Sequence, residues 1–453
     1  MVRRAVLLGV LAFGCAAPRT SPVLAPIEAL PGWDDPAVAV AALAIDLYTG
    51  EQLVARDAAR LLRPASTQKL LTTAAVCRRA PAQSIRTHLA VEAGVATLIG
   101  GGDPLLQHRD LAALAAAALR AGVAPIHSVH VVDPLFGAPR FGEGWMWDDE
   151  PSAFMPAISG ITVDGGCVTV AVRSGSDGLV AALSPVAGAL SLAVVPGPGR
   201  LSVERGRYRE AHAVTVAGQL RRGEAVERRI TVPDPAEYTG WALIAALESS
   251  GLMAPERAAA PPVVRGPSEA DGRLPIVASV ERPLREVLLR TNKDSDNLCA
   301  ELLLRHAGGA PLSAERGLAA LEADCAALGF DPSRFRLSDG SGVSHYTLVS
   351  AELLLATLVD MHEAGGAAHE LFRESLPIAG VDGTLATRMR GTPAEGRVRA
   401  KTGTISGVSN LAGYIDTVSG RRLAFVVLVQ NFVGPAGRWR ALQDEFCAVL
   451  AAL

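Results

Sequence analysis

Runs and alternations of apolar residues mark out the elements at both ends of the chain. Ala37 to Ile45 is apolar, Tyr48-Thr49-Gly50-Glu51 reads as a turn, and Gln52-Leu53-Val54 completes a predicted hairpin. Pro64 precedes Ser66, and Lys69 to Arg79 contains few breakers, which predicts a helix with Ser66 at its start. Toward the other end, Val408 to Thr417 alternates and Val418-Ser419-Gly420 turns. Arg422 to Phe432 then carries Leu-Ala-Phe-Val-Val-Leu-Val, a buried strand by length and β-branching. Trp439, Leu442, Phe446, Val449 and Leu450 give Arg438 to Leu453 helical spacing. Both ends thus offer strands and a helix, so the pattern predicts that they share one sheet.

The middle of the chain differs. Gly100-Gly101-Gly102-Asp103-Pro104 is a glycine-rich turn without the GK[ST] of a phosphate loop. Leu111 to Ala121 is alanine-rich helix and His127 to Val132 a strand. Short alternating stretches separated by glycines follow: Cys167–Val172, Leu190–Val195, Ala213–Val216 and Arg229–Val232, the pattern of an all-β insert. Trp241 to Ser250 returns to helix, and Ala258 to Gly272 reads as a surface loop.

At 453 residues the chain is long enough for two or three domains, and 49% hydrophobic residues are ample for their cores. A net charge of −3 gives no electrostatic case for nucleic acid as a partner. Arg3 and Arg4, the apolar run Ala5–Phe13 and the small residues Gly14-Cys15-Ala16-Ala17 form an export signal over residues 1–17. That run is too short to span a bilayer permanently. Cys15 offers a point of lipid attachment, and so of membrane association. Cys77, Cys167, Cys299, Cys325 and Cys447 have neither CxxC pairing nor flanking histidines, which argues against zinc. As an odd set in an exported chain they leave at least one free thiol, and most read as buried small hydrophobes.

Composition changes the picture most through lysine. The chain has three lysines, Lys69, Lys293 and Lys401, against forty arginines. Arginine stays protonated at any biological pH, whereas a lysine amine can lose its proton and act as a base. Lys69 lies in Ser66-Thr67-Gln68-Lys69, where a spacing of three puts both side chains on one helix face. A serine hydroxyl is a poor nucleophile until a base takes its proton. Lys69 suits that role if burial and a neighbouring cation lower its pKa, and Lys401 is the candidate cation. Ser295 supplies a second hydroxyl able to relay a proton to a leaving amine. Asn297 offers an amide to hold a substrate amide. Ala400-Lys401-Thr402-Gly403-Thr404 opens an alternating stretch and so sits on a strand. There Gly403 admits another backbone, and Lys401, Thr402 and Thr404 can hold a carboxylate. A backbone N–H from this strand, with that of Ser66, would make an oxyanion site.

S-x-x-K, S-D-N and K-T-G together are the signature of penicillin-binding proteins and class A β-lactamases. The longer strings resemble one branch, the D-alanyl-D-alanine carboxypeptidase/endopeptidases of the S13 peptidase family, penicillin-binding protein 4 type. They are 64–69, 292–297, Ser338-Asp339-Gly340-Ser341-Gly342-Val343-Ser344, Gly380-Val381-Asp382-Gly383-Thr384-Leu385 and 400–404 with Gly407-Val408. Gly101-Gly102-Asp103-Pro104 and Gly144-Trp145 with Asp148-Asp149 resemble that family's insert. The 225 residues between Lys69 and Ser295 separate it from β-lactamases, whose second motif lies closer to the first.

The resemblance implies an α/β (α+β) serine transpeptidase/β-lactamase-like domain with a large nested insertion containing a small all-β domain. The corresponding boundaries are 23–80 and 275–453 for the catalytic domain, 81–157 and 236–274 for the inserted domain, and 158–235 for the nested β domain. It implies Ser66 as the acylated nucleophile, Lys69 as its base, Ser295 and Asn297 as the second motif, and a carboxylate site at Lys401, Thr402, Gly403 and Thr404. Thr404 would also contribute an oxyanion N–H. Asp148 would line the side-chain pocket for the substrate. Two departures bear on that pocket: Ser152-Ala153-Phe154 lacks the relatives' tyrosine, and His345 stands where relatives have arginine. Peptidoglycan stem peptides and β-lactam antibiotics are the implied partners, the periplasm the implied location, and no cofactor is called for. A β-lactamase or esterase, or a catalytically idle penicillin-binding scaffold, are the alternatives.

Overall fold

A computed structural model describes residues 24–79, 83–175, 178–185, 190–207, 210–255 and 260–453. The expected export signal and Cys15 lie outside the described residues. The chain divides into two compact units, one of residues 1–83, 142–145 and 284–453, the other of residues 84–141 and 146–283.

In the first unit, five antiparallel strands run in the order Val398–Ile405, Val408–Asp416, Arg422–Gln430, Ala39–Asp46 and Gln52–Arg56. The two ends of the chain meet through Ala39–Asp46 paired with Leu423–Gln430. Strands of the sheet's middle are apolar throughout because both of their faces are covered. Val40, Ala42 and Ala44 pack with Phe425, Val427, Phe446 and Leu450 on one face. On the other, Tyr414 donates its hydroxyl to the Leu358 carbonyl of the helix Ala351–Ala364 at 2.7 Å. Full burial of each such leucine, valine or phenylalanine contributes about 1.5–3 kcal/mol. The strand Val398–Ile405 is the sheet's edge, and only its first half is covered: Ala379 N–H bonds to Val398 O at 3.0 Å and Ala400 N–H to Pro377 O at 3.0 Å.

The second unit holds a mixed five-stranded sheet, Val263–Arg265, Ser128–Val132, Val95–Ile99, Ser84–Glu92 and Ile276–Pro283, with the helices His108–Arg120 and Pro235–Ser249. Two three-stranded sheets account for the glycine-punctuated stretch from Cys167 to Thr231. The boundary expected at 274/275 moves past Pro283, because Ile276–Pro283 pairs with Ser84–Ala90. The stretch expected as a separate β domain shares one apolar core with the rest of this unit, where Val168, Val170 and Ile230 cluster with Leu98, Leu114 and Leu243. Ala258–Gly272, read as loop, contains the short strand Val263–Arg265. Among the described residues no helix is long and apolar enough to cross a membrane, and the five described cysteines are buried and not in disulfides.

Candidate active site

Ser66 sits in a 3-10 turn, Ala65–Gln68, that runs directly into the helix Lys69–Arg79. The pattern placed it at an α-helix N-terminus; the helix proper begins three residues later. Side chains from the sheet hold the turn's entry. Asn410 donates to the carbonyls of Arg63 and Pro64 at 2.9 and 2.8 Å, and Gln430 donates to Arg63 O at 2.5 Å. The Thr67 hydroxyl donates back to Pro64 O at 2.7 Å. Gly403 lies flat against the turn, since a Cβ there would stand 2.7 Å from Pro64 O and 3.2 Å from Ser66 N. The backbone admitted by this glycine is therefore the chain's own. Asn410 and Gln430 carry no motif; the signal was a carboxamide inside an otherwise apolar, buried strand.

Lys69 is fully buried, and its Nζ meets three acceptors: Ser66 Oγ at 3.0 Å, Asn297 Oδ1 at 2.6 Å and Ser341 O at 2.7 Å. An ammonium would donate to all three. A neutral amine has two hydrogens, which suit Asn297 and Ser341, and one lone pair, which then faces the serine hydroxyl. Burial pushes the Lys69 amine down to about 8, while the negative charges of Asp339, Asp296 and Glu301 work in the opposite direction. Lys401 is also fully buried and donates to Ser295 Oγ at 2.9 Å and Thr402 O at 2.8 Å. Its amine lies well below the ordinary lysine value, first through burial and then through the Lys69 charge. The repulsion between two such ammonium groups is mutual, and it falls on Lys401 because that amine is the first of the two to lose its proton. Acidic neighbours favour the proton on Lys69, and Lys401 is the lysine that feels its partner's charge.

Asn297, expected to hold a substrate amide, has its carbonyl oxygen taken by Lys69. Ser295 has φ 59, a left-handed conformation that turns its hydroxyl to Lys401 just ahead of the Asp296 cap of the helix Asn297–Ala307. The Ser341 carbonyl that meets Lys69 belongs to the loop 338–344, to which the sequence assigned no role. Two carboxylates hold that loop. Asp339 accepts from Gly342 N–H at 3.0 Å, Ser344 N–H at 2.8 Å, the Ser341 hydroxyl at 2.9 Å and Trp145 Nε1 at 3.0 Å. Buried Glu301 accepts from Gly340 and Ser341 N–H at 2.9 and 3.0 Å, and its other oxygen accepts from Arg305 at 3.0 Å. Burial pushes the Glu301 carboxyl up.

Alternation along the edge strand orients its remaining groups. Ala400 N–H points outward to Pro377, so the N–H groups of Thr402 and Thr404 also point away from the sheet. Thr402 and Thr404 are respectively half-buried and exposed. Lys293 does something different from the other two lysines: its Nζ donates to Leu376 O at 2.7 Å and pairs with Asp382 at 2.6 Å. His345 is half-buried, with its Nδ1 3.5 Å from Arg63 Nη1. Asp148 lies exposed on a 3-10 turn, Trp147–Asp149, of the second unit. No three metal-ligating side chains gather among the described residues.

Residues 32–448 match the model of the D-Ala-D-Ala carboxypeptidase 3 (S13) family. The chain is 33% identical to a D-alanyl-D-alanine carboxypeptidase of Actinomadura sp. (strain R39), over 92% of this chain and 82% of that one. Its fold is similar to penicillin binding protein 4 from Haemophilus influenzae, with TM-score 0.79 and 22% identity over 94% of this chain and 98% of that one. A second structure of that protein, complexed with a β-lactam, gives TM-score 0.73 at 20% identity over the same shares.

Proposed function

The chain belongs to the D-Ala-D-Ala carboxypeptidase 3 (S13) family, and from that premise we propose that Ser66 is the nucleophile that is acylated in each turnover. The protein is a serine-type peptidase of the DD-carboxypeptidase/endopeptidase kind, a hydrolase. The observation that carries the role of Ser66 is the buried Lys69 amine, with its hydroxyl at 3.0 Å and two other acceptors occupying the remaining directions. Unprotonated Lys69 takes the Ser66 proton as Oγ attacks the carbonyl carbon of the penultimate D-alanine. The oxyanion accepts from the N–H groups of Ser66 and Thr404. As the C–N bond breaks, the leaving amine takes a proton from the Ser295 hydroxyl, which is replenished from Lys401. Lys69 then returns its proton to Lys401 by way of the site hydroxyls, takes one from the water that attacks the acyl carbon, and gives it to Ser66 Oγ as the ester bond breaks.

A peptide strand laid along the open half of Val398–Ile405 would direct its terminal carboxylate to Lys401, Thr402 and Thr404, with Gly403 between them. The negative charge raises the affinity of Lys401 for a proton, and a charged Lys401 in turn favours the free-base form of Lys69. Asp148 is proposed to contact the stem-peptide side chain. Peptidoglycan stem peptides are the substrates and β-lactams the acylating inhibitors. The work is done outside the cytoplasmic membrane, in the periplasm, with Cys15 as the proposed point of lipid attachment.

Intact mass spectrometry with labelled penicillin, peptide mapping and a D-alanine release assay test this. One equivalent bound at Ser66, with release lost in Ser66→Ala, is expected. Rapid nitrocefin turnover would make the chain a β-lactamase; failure to trap penicillin would make it an idle scaffold; and D-alanine release by folded Ser66→Ala would remove Ser66 from the chemistry.

A further inference from the structure

The string 380–385 packs beside the site and none of its residues has a role in the steps above. Its anchor is Lys293, the last residue of the helix Leu284–Lys293 and two residues before Ser295. Lys293 pairs with Asp382 Oδ2 at 2.6 Å, and Asp382 Oδ1 accepts from Ile378 N–H at 2.8 Å. Gly383 has φ 56, and a Cβ there would lie 2.6 Å from the Lys293 carbonyl, so the loop sits directly on the helix end. Leu385 is fully buried beyond it. Between these anchors the exposed Thr384 accepts from the Thr402 hydroxyl at 2.9 Å.

We propose that Thr384 is a positioning residue for the substrate's terminal carboxylate, orienting the Thr402 hydroxyl so that its hydrogen is given to the carboxylate. A hydroxyl has one hydrogen and two lone pairs. In the structure Thr402 donates to Thr384; the reverse arrangement, with Thr384 donating, frees the Thr402 hydrogen. A carboxylate accepts but cannot donate, so its arrival selects that arrangement, and the two bonds in series reinforce each other. The Lys293–Asp382 pair holds Thr384 within reach. This gives the third lysine a part in substrate recognition that involves no proton transfer, and it rests on the carboxylate site proposed above.

The test uses two matched D-alanyl-D-alanine peptides, one with a free terminal carboxylate and one amidated. In Thr384→Val the ratio of kcat/KM for the carboxylate over the amide should fall about three- to tenfold, through KM of the carboxylate peptide. Thr384→Ser should keep the wild-type ratio, and Asp382→Asn should lower it less than valine does. Equal losses on both peptides, or a ratio unchanged in Thr384→Val, would overturn the proposal. A wild-type protein that neither releases D-alanine nor traps penicillin would instead overturn the functional reading beneath it.

Discussion

The pockets of Lys69 and Lys293 hold the same side chain in opposite ways. Lys69 is buried among neutral oxygens, with no carboxylate in contact, so desolvation dominates and the amine is pushed down to about 8. Lys293 is partly exposed and in direct contact with a carboxylate. A charge placed where water is scarce and no counter-ion touches it becomes easy to neutralise, whereas a charge paired at the rim is kept. Lysine is thus retained for two reasons in a chain that otherwise uses arginine. One is a removable proton. The other is a compact ammonium that reaches a backbone carbonyl and a carboxylate at once.

The largest expected break in this comparison is Lys69→Arg. A permanently charged guanidinium cannot accept the serine proton, so D-alanine release should fall about 10²–10⁴-fold, nearly as far as in Lys69→Ala. Recovery of more than about a tenth of wild-type turnover by the arginine variant would end the general-base role. Gly403→Val comes next. Its side chain would enter the space beside Pro64 O and Ser66 N, and a displacement of the serine on that scale should cost about 10²-fold in the penicillin acylation rate. Wild-type acylation by a folded Gly403→Val would show that the close approach is not needed.

The pH profile sharpens the contrast. Only unprotonated Lys69 can act as base, so the acylation rate should rise about tenfold per pH unit below about 8 and level off above it. Asp339 favours the protonated form, so Asp339→Asn should move that midpoint to lower pH; a shift upward would contradict the assignment of the limb to Lys69. The smallest effect is expected at the rim. Lys293→Arg should retain turnover within a few-fold and cost about 0–1 kcal/mol of stability, measured by denaturant unfolding. A loss there as deep as that of Lys69→Arg would erase the distinction between the two pockets.

Much of the frame was legible along the chain. The apolar run Ala39–Asp46 and the stretch Leu423–Gln430 are long, rich in β-branched, aromatic or small residues, and uniformly buried, so their period and length point to central strands. Four of the six short strands from Cys167 to Thr231 followed from their alternation and glycine punctuation; Gly178–Ser184 and Ser202–Arg205 did not. Ile276–Pro283 was not legible: its burial alternates weakly, and its place in the second unit depends on a partner nearly two hundred residues away. The strings at 66–69, 295–297 and 401–404 were visible because chemistry-bearing residues stood at fixed, short spacings. Asn410, Gln430 and Glu301 were not, since each acts through a neighbour distant in sequence.

The sequence by itself therefore determined which side chains were present at local spacing: a serine three residues before a lysine, a second serine two before an asparagine, a lysine beside Thr402 and Gly403 on a strand. Local geometry follows from local sequence, because a turn or a strand sets the direction of its own side chains. Only the tertiary structure decided what surrounds them. It put Asn297 and the Ser341 carbonyl against Lys69, Ser295 against Lys401, and Thr384 against Thr402. Whether a lysine is a base or an ion pair depends on water and counter-charge within a few ångströms, and those come from parts of the chain that meet only when it folds.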